Sequence, residues 1–192
     1  ERKKRGFSSL ADFDAYEKEG HKFDYQSELL ELEWLGANPN AWMEGMEMDA
    51  ATHAYEWWEP GVLRSQNEIR GYQKLICRDI YPGIDVEYTL HPVTGFKYSL
   101  IVHPGADISL VQLRYSTSPS LQSDGSLSTP TRFGPITDHQ PFTYYQDNND
   151  EIPSAYALDQ GNIGFSLAAY DPSRTIVIDP WTDLPNDPAT NW

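Results

Sequence analysis

The sequence predicts a mainly β protein: an antiparallel, β-sandwich-like domain with one short N-terminal helix. Three observations predict it. Apolar and polar residues alternate with period two in several segments, turn residues separate those segments, and only one stretch carries a helical pattern.

The helical stretch comes first. Ser8-Ser9-Leu10-Ala11-Asp12-Phe13 places a capping serine ahead of acids in the first turn, and Gly20 stands where a C-cap belongs. The spacing predicts a helix over about 9–19, one too short to be stable alone. From Leu30 the period becomes two. Leu30, Leu32 and Trp34 alternate with Glu31 and Glu33. Ile84, Val86, Tyr88 and Leu90 alternate with Asp85, Glu87, Thr89 and His91. The same pattern recurs at 96–102, 111–115 and 163–168. It is the mark of strands with one dry and one wet face. Turns fall between them at Pro92-Val93-Thr94-Gly95, Ser123-Asp124-Gly125-Ser126 and Asp159-Gln160-Gly161-Asn162. Pro82-Gly83 supplies type II turn chemistry ahead of Asp85, and Asp171 and Ser173 suit an Asx turn. A last strand runs from Thr175 to Ile178. The expected organisation is an N-terminal segment over 1–28, a β domain over 29–181 and a Pro-rich linker over 182–192 toward a further domain.

Composition narrows the function. With 14 Lys+Arg against 29 Asp+Glu the net charge is −15, which disfavours a nucleic-acid backbone as partner. Aromatics make up 13% of the chain, so it is not disordered overall. No apolar run approaches the ~18 residues of a membrane-spanning helix. Cys77 is the single cysteine and sits in Leu75-Ile76-Cys77, which reads as a buried, inert thiol. No signal peptide is legible in the basic opening Glu1-Arg2-Lys3-Lys4-Arg5, and no Met precedes it. The expectation is a piece of a longer gene product.

There is no Gly-x-Ser-x-Gly elbow. The five histidines form no ligand pair, so no metal and no cofactor is expected. Asp147-Asn148-Asn149-Asp150-Glu151 is rich in oxygen but lacks EF-hand spacing and reads as a solvated turn. Glu56 and Glu59 flank Trp57-Trp58 and would suit glycoside hydrolysis only if they faced each other. No catalytic residue is assigned. Trp42, Trp57 and Trp58 lie in the least regular part of the chain and are the candidate ligand-binding residues, as stacking or anchoring aromatics. The competing reading makes them a cap on the core. Since neighbours on a strand point to opposite faces, one of Trp57 and Trp58 is expected buried and the other exposed.

Five segments also carry a family resemblance. They are Leu35-Gly36-Ala37-Asn38-Pro39-Asn40, Ile69-Arg70-Gly71-Tyr72-Gln73-Lys74, Asp79-Ile80-Tyr81-Pro82-Gly83-Ile84-Asp85-Val86-Glu87-Tyr88, Lys97-Tyr98-Ser99-Leu100-Ile101-Val102-His103-Pro104-Gly105-Ala106-Asp107 and Tyr170-Asp171-Pro172-Ser173-Arg174-Thr175-Ile176-Val177-Ile178-Asp179-Pro180. In order and spacing, residues 29–181 resemble the N-terminal β-rich domain of large secreted bacterial surface proteins. In those proteins it precedes β-propeller-like SBBP repeats, and in Bacteroidetes they often end in a gliding-motility-associated or type IX secretion sorting domain. The resemblance implies an extracellular or cell-surface location, a structural or adhesive role and no enzyme chemistry. It implies the downstream propeller-like domain as a partner, with a glycan or surface protein beyond it. The family usually has strands before the first motif, where this chain has a basic stretch and a predicted helix.

Overall fold

The computed structural model describes residues 27–91 and 95–184. The helix expected over 9–19 lies outside them. The helical element among the described residues is one 3-10 turn, Ile108–Leu110, which Asp107 caps by accepting the Ser109 N–H. The rest of the regular structure is strand, in three antiparallel sheets.

The chain enters through a short strand, β1 (Leu32–Trp34), and then makes a long hairpin of β2 (Trp42–Glu59) and β3 (Val62–Tyr81). β4 (Ile84–His91) and β5 (Gly95–Val102) follow as a second hairpin. β6 (Leu113–Tyr115), β7 (Ser120–Leu121), β8 (Leu127–Thr129) and β9 (Ile136–Asp138) are short. So are β10 (Phe142–Tyr145) and β11 (Glu151–Ile152). β12 (Ser154–Asp159) and β13 (Asn162–Leu167) form a third hairpin, and β14 (Ile176–Asp179) and β15 (Thr182–Asp183) close the described chain. The seven-stranded sheet has the order β11-β10-β14-β5-β4-β3-β2. The two four-stranded sheets run β1-β6-β13-β12 and β15-β9-β8-β7.

The alternating segments become strands because their apolar faces share one core. Val86, Leu100 and Ile178 lie in register on neighbouring strands of the large sheet and are fully buried. Leu113 and Ile163 add the β6–β13 face, and Leu127 adds the third sheet. Turn chemistry sets the register. Gly83 at φ 72° closes the Tyr81–Ile84 turn. Gln160 and Gly161, both at positive φ, close the β12–β13 hairpin.

Two readings need correction. The part that holds Trp42, Trp57 and Trp58, read from sequence as the least regular, is β2, which with β3 forms the two longest strands, 18 and 20 residues. They do not alternate because over most of their length neither face is buried, and alternation reports burial rather than extension. Thr182-Asp183, read as the start of a linker, is β15: it pairs with β9, and Thr182 is buried.

Candidate functional site

The β2–β3 hairpin carries most of the exposed large apolar side chains among the described residues. β4 pairs with β3 only from Lys74 onward, so the distal ribbon has no third strand. It extends roughly a dozen residues, or about 40 Å. No described side chain of β2 is buried, and β3 up to Leu75 carries none either. Yet the distal ribbon displays Met48, Tyr55, Trp57 and Leu63, and the root adds Trp42 and Met43, each 44–58% exposed.

Trp42 and Trp57 are therefore surface residues and do not cap the core. Trp42 stands at the root of the hairpin opposite Arg78, and Trp57 near its tip opposite Arg64, so the two do not meet. Trp58 pairs with Leu63; its side chain lies outside the described part. Tyr55, which the sequence reading passed over, shares a face with Trp57, roughly 7 Å along the strand. Glu56 and Glu59 fall on opposite faces of β2, because an odd spacing along a strand reverses the side chain. Glu59 is held by Arg64 at 3.0 Å. This pair does not converge as two facing carboxyls.

At the root, the outer face of the large sheet carries ion pairs across strands. Arg78 grips Glu44 through Nε and Nη2 at 3.0 and 2.9 Å, and donates through Nη1 to Asp85 at 2.9 Å. Asp85 also accepts the Asp79 backbone N–H at 2.8 Å and faces His103 Nε2 at 3.1 Å. Burial pushes its carboxyl up, but the Asp79 N–H, His103 and Arg78 outweigh this and hold it below its usual range. Asp85 and His103 form an acid–imidazole pair, and no hydrogen bond from His103 to a hydroxyl or thiol is found among the described residues. Burial, with a lesser push from Asp85, raises the Cys77 thiol and keeps it protonated.

A second polar cluster lies inside the core. Asp138 is 1% exposed and accepts from Thr182 Oγ1 at 2.5 Å and from Tyr115 Oη at 2.8 Å. No cation pairs with it among the described residues, and burial raises its carboxyl despite those two donors. Tyr98 and Tyr156 lie close enough that Asp138 pushes their phenols up further. The Thr129 hydroxyl is buried without a partner among the described residues, and the Tyr156 phenol neighbours that of Tyr98. Nothing in the residues around Asp138 signals this burial from sequence, because Ile136-Thr137-Asp138-His139 resembles any strand end.

The acidic turn at 147–151 is tied internally. Asn148 Nδ2 donates to Asp150, and Asn149 adopts φ 61°. Arg174 holds Asp147 and lies 3.7 Å over the Tyr145 ring. No group of three or more His, Cys, Asp or Glu that could hold a metal ion is found among the described residues. No described helix is long and apolar enough to cross a membrane.

Against known proteins, residues 3–181 match the family described as a domain of unknown function, DUF7948, and the chain belongs to that family. No curated protein and no solved structure matches it.

Proposed function

We propose that this chain is a non-enzymatic structural and interaction module of a secreted or cell-surface bacterial protein. In this reading it is a β-sandwich-like body that positions neighbouring domains and contacts an external partner through its hairpin. The observation that carries it is the contrast within one hairpin: a root built into the seven-stranded sheet and a distal ribbon with apolar side chains on an open surface. Apolar groups so displayed gain free energy when another surface covers them. The sequence resemblance to domains that precede SBBP repeats in type IX-exported proteins supports the same role.

A carbohydrate-binding module is the second reading, favoured by Tyr55 and Trp57 on one face of the ribbon. Flat aromatic faces at that spacing suit sugar-ring stacking. A glycan array with affinity electrophoresis separates the two readings. Retarded migration on a glycan gel that Trp57→Ala abolishes supports the second. If a surface extract yields a protein partner that a chain shortened at the hairpin tip cannot bind, the first stands. Hydrolysis of a chromogenic glycoside panel would overturn the non-enzymatic reading.

A further inference from the structure

The short strand β15 ties two sheets together. Thr182 and Asp183 pair with Asp138 and Thr137 of β9, at the edge of the third sheet. The preceding Trp181 bridges to Lys97 of β5, in the large sheet. So short a ladder is marginal in water, and side chains must help to hold it. Those that do meet on Asp138 and His139. Thr182 Oγ1 donates to the Asp138 carboxyl. The His139 N–H donates to the Trp181 carbonyl at 2.9 Å, and the two rings lie 5.0 Å apart. His139 Nε2 faces the Asp183 carboxylate at 2.9 Å.

Both groups change charge with pH, and both push β15 the same way. Asp138 is met by Tyr115 from β6, Tyr98 from β5, Tyr156 from β12 and Thr182 from β15, none of them a cation. Thr129, from β8, brings a buried hydroxyl to the same sheet face. The Lys97 ammonium is held by Asp179 at 2.7 Å. The cation that acts on Asp138 is His139, on its own strand, and burial still favours the neutral acid. As pH rises, Asp138 takes on a charge that the core does not match, and letting β15 go admits water to it. His139 faces Asp183 and, from the turn ahead of β8, Asp124. When its imidazolium is lost, so is the ion pair that holds Asp183. We propose that β15 is a pH-sensitive clasp, closed while Asp138 is neutral and His139 charged, and released when those charges reverse. The bistable element is the strap itself, which opens while the rest of the fold stays closed. The clasp does not depend on what the β2–β3 hairpin contacts.

The test follows amide hydrogen exchange on the whole chain from pH 4 to pH 8, with each rate corrected for its intrinsic pH dependence. Protection of the His139 amide, which donates to the strap, is expected to fall about tenfold as pH rises. Protection at 98–102, inside the large sheet, is expected to stay level. Carbon-13 shifts of the Asp138 carboxyl follow its ionisation directly, and the loss of protection should track them. Asp138→Asn should remove most of the fall, and Asp138→Asn/His139→Gln all of it. Thr182→Val keeps the acid and removes a donor to its charged form, so it should enlarge the fall. That variant and the carboxyl titration decide the matter even where Asp138→Asn does not fold. Level protection at His139 across the range would overturn the proposal. An equal fall at 98–102 would overturn it too, because the whole fold and not a strap would then be opening. So would a full fall in the double variant, or one that ignores the Asp138 carboxyl.

Discussion

One strand, β3, has two fates. From Ile76 to Tyr81 it lies inside the sheet: Ile80 and Tyr81 are buried, and Tyr81 Oη donates to the Leu35 carbonyl at 2.8 Å. From Val62 to Gln73 the same strand carries no buried side chain. Apolar residues occur in both halves, so composition does not separate them. Neighbours do: the proximal half has β4 on one side and the β6–β13 face above it, whereas the distal half has only β2. An isolated two-stranded ribbon is marginal in water. The proximal half makes the fold, and the distal half is free to change without unmaking it.

The largest effect that would break this comparison comes from the buried half of the sheet. Leu100 is fully buried between β4 and β14. Leu100→Ala is expected to cost about 2–5 kcal/mol in urea unfolding, by lost transfer energy and a residual cavity. A cost below about 1 kcal/mol would mean that the shared core is not close-packed there.

Next in size are the two buried acids, whose partners differ. Asp85→Ala strips Arg78, His103 and the Asp79 N–H of their acceptor and is expected to cost about 1–3 kcal/mol. Its folded pKa is lowered, so its contribution is present above the unfolded pKa and is lost as pH falls through the lower folded value. Asp138 runs the other way. Its folded pKa is raised, so its contribution is complete below the unfolded pKa and is lost as pH rises through the folded value. Asp85→Asn should therefore remove part of the acid-side loss of stability. Asp138→Asn should flatten a decline on the neutral side. Melting curves taken from pH 3 to pH 8 for each variant against the parent check both signs. The same slope for both variants would show that their environments are not opposite.

The sequence shows the proximal half and conceals the distal one for the same physical reason. Residues 84–90 and 96–102 alternate because one face of each packs on the core, and both appear as strands. Residues 46–58 read Met-Glu-Met-Asp-Ala-Ala-Thr-His-Ala-Tyr-Glu-Trp-Trp, with no dry face to impose a period. The usable signal was local: Pro60-Gly61 is a turn between two long stretches free of other prolines, and Gly61 takes φ 81°. The Trp residues stand out in sequence by their setting among Gly, Pro and Glu, while Tyr55 joins Trp57 only through the register. Asp85 was placed on the polar face of its strand, where it lies, but its burial under Arg78 and His103 depends on a partner 18 residues away. No local pattern carries that.

The smallest expected effect is the sharpest probe of the ribbon. Trp57 is 44% exposed and opposes Arg64 on a ribbon with no third strand. Trp57→Ala should therefore change unfolding free energy by no more than about 0.5 kcal/mol, as exposed substitutions usually do. Trp42→Ala, at the root and 56% exposed, should behave the same way. A buried aromatic would instead cost about 3–5 kcal/mol, so denaturant titration separates the outcomes cleanly. If both variants are neutral, the ribbon's aromatics are held for something other than folding, and their effect must appear in binding. If Trp57→Ala costs as much as Leu100→Ala, the ribbon is covered in solution by the chain itself. The division of β3 into a folding half and a contacting half would then fail.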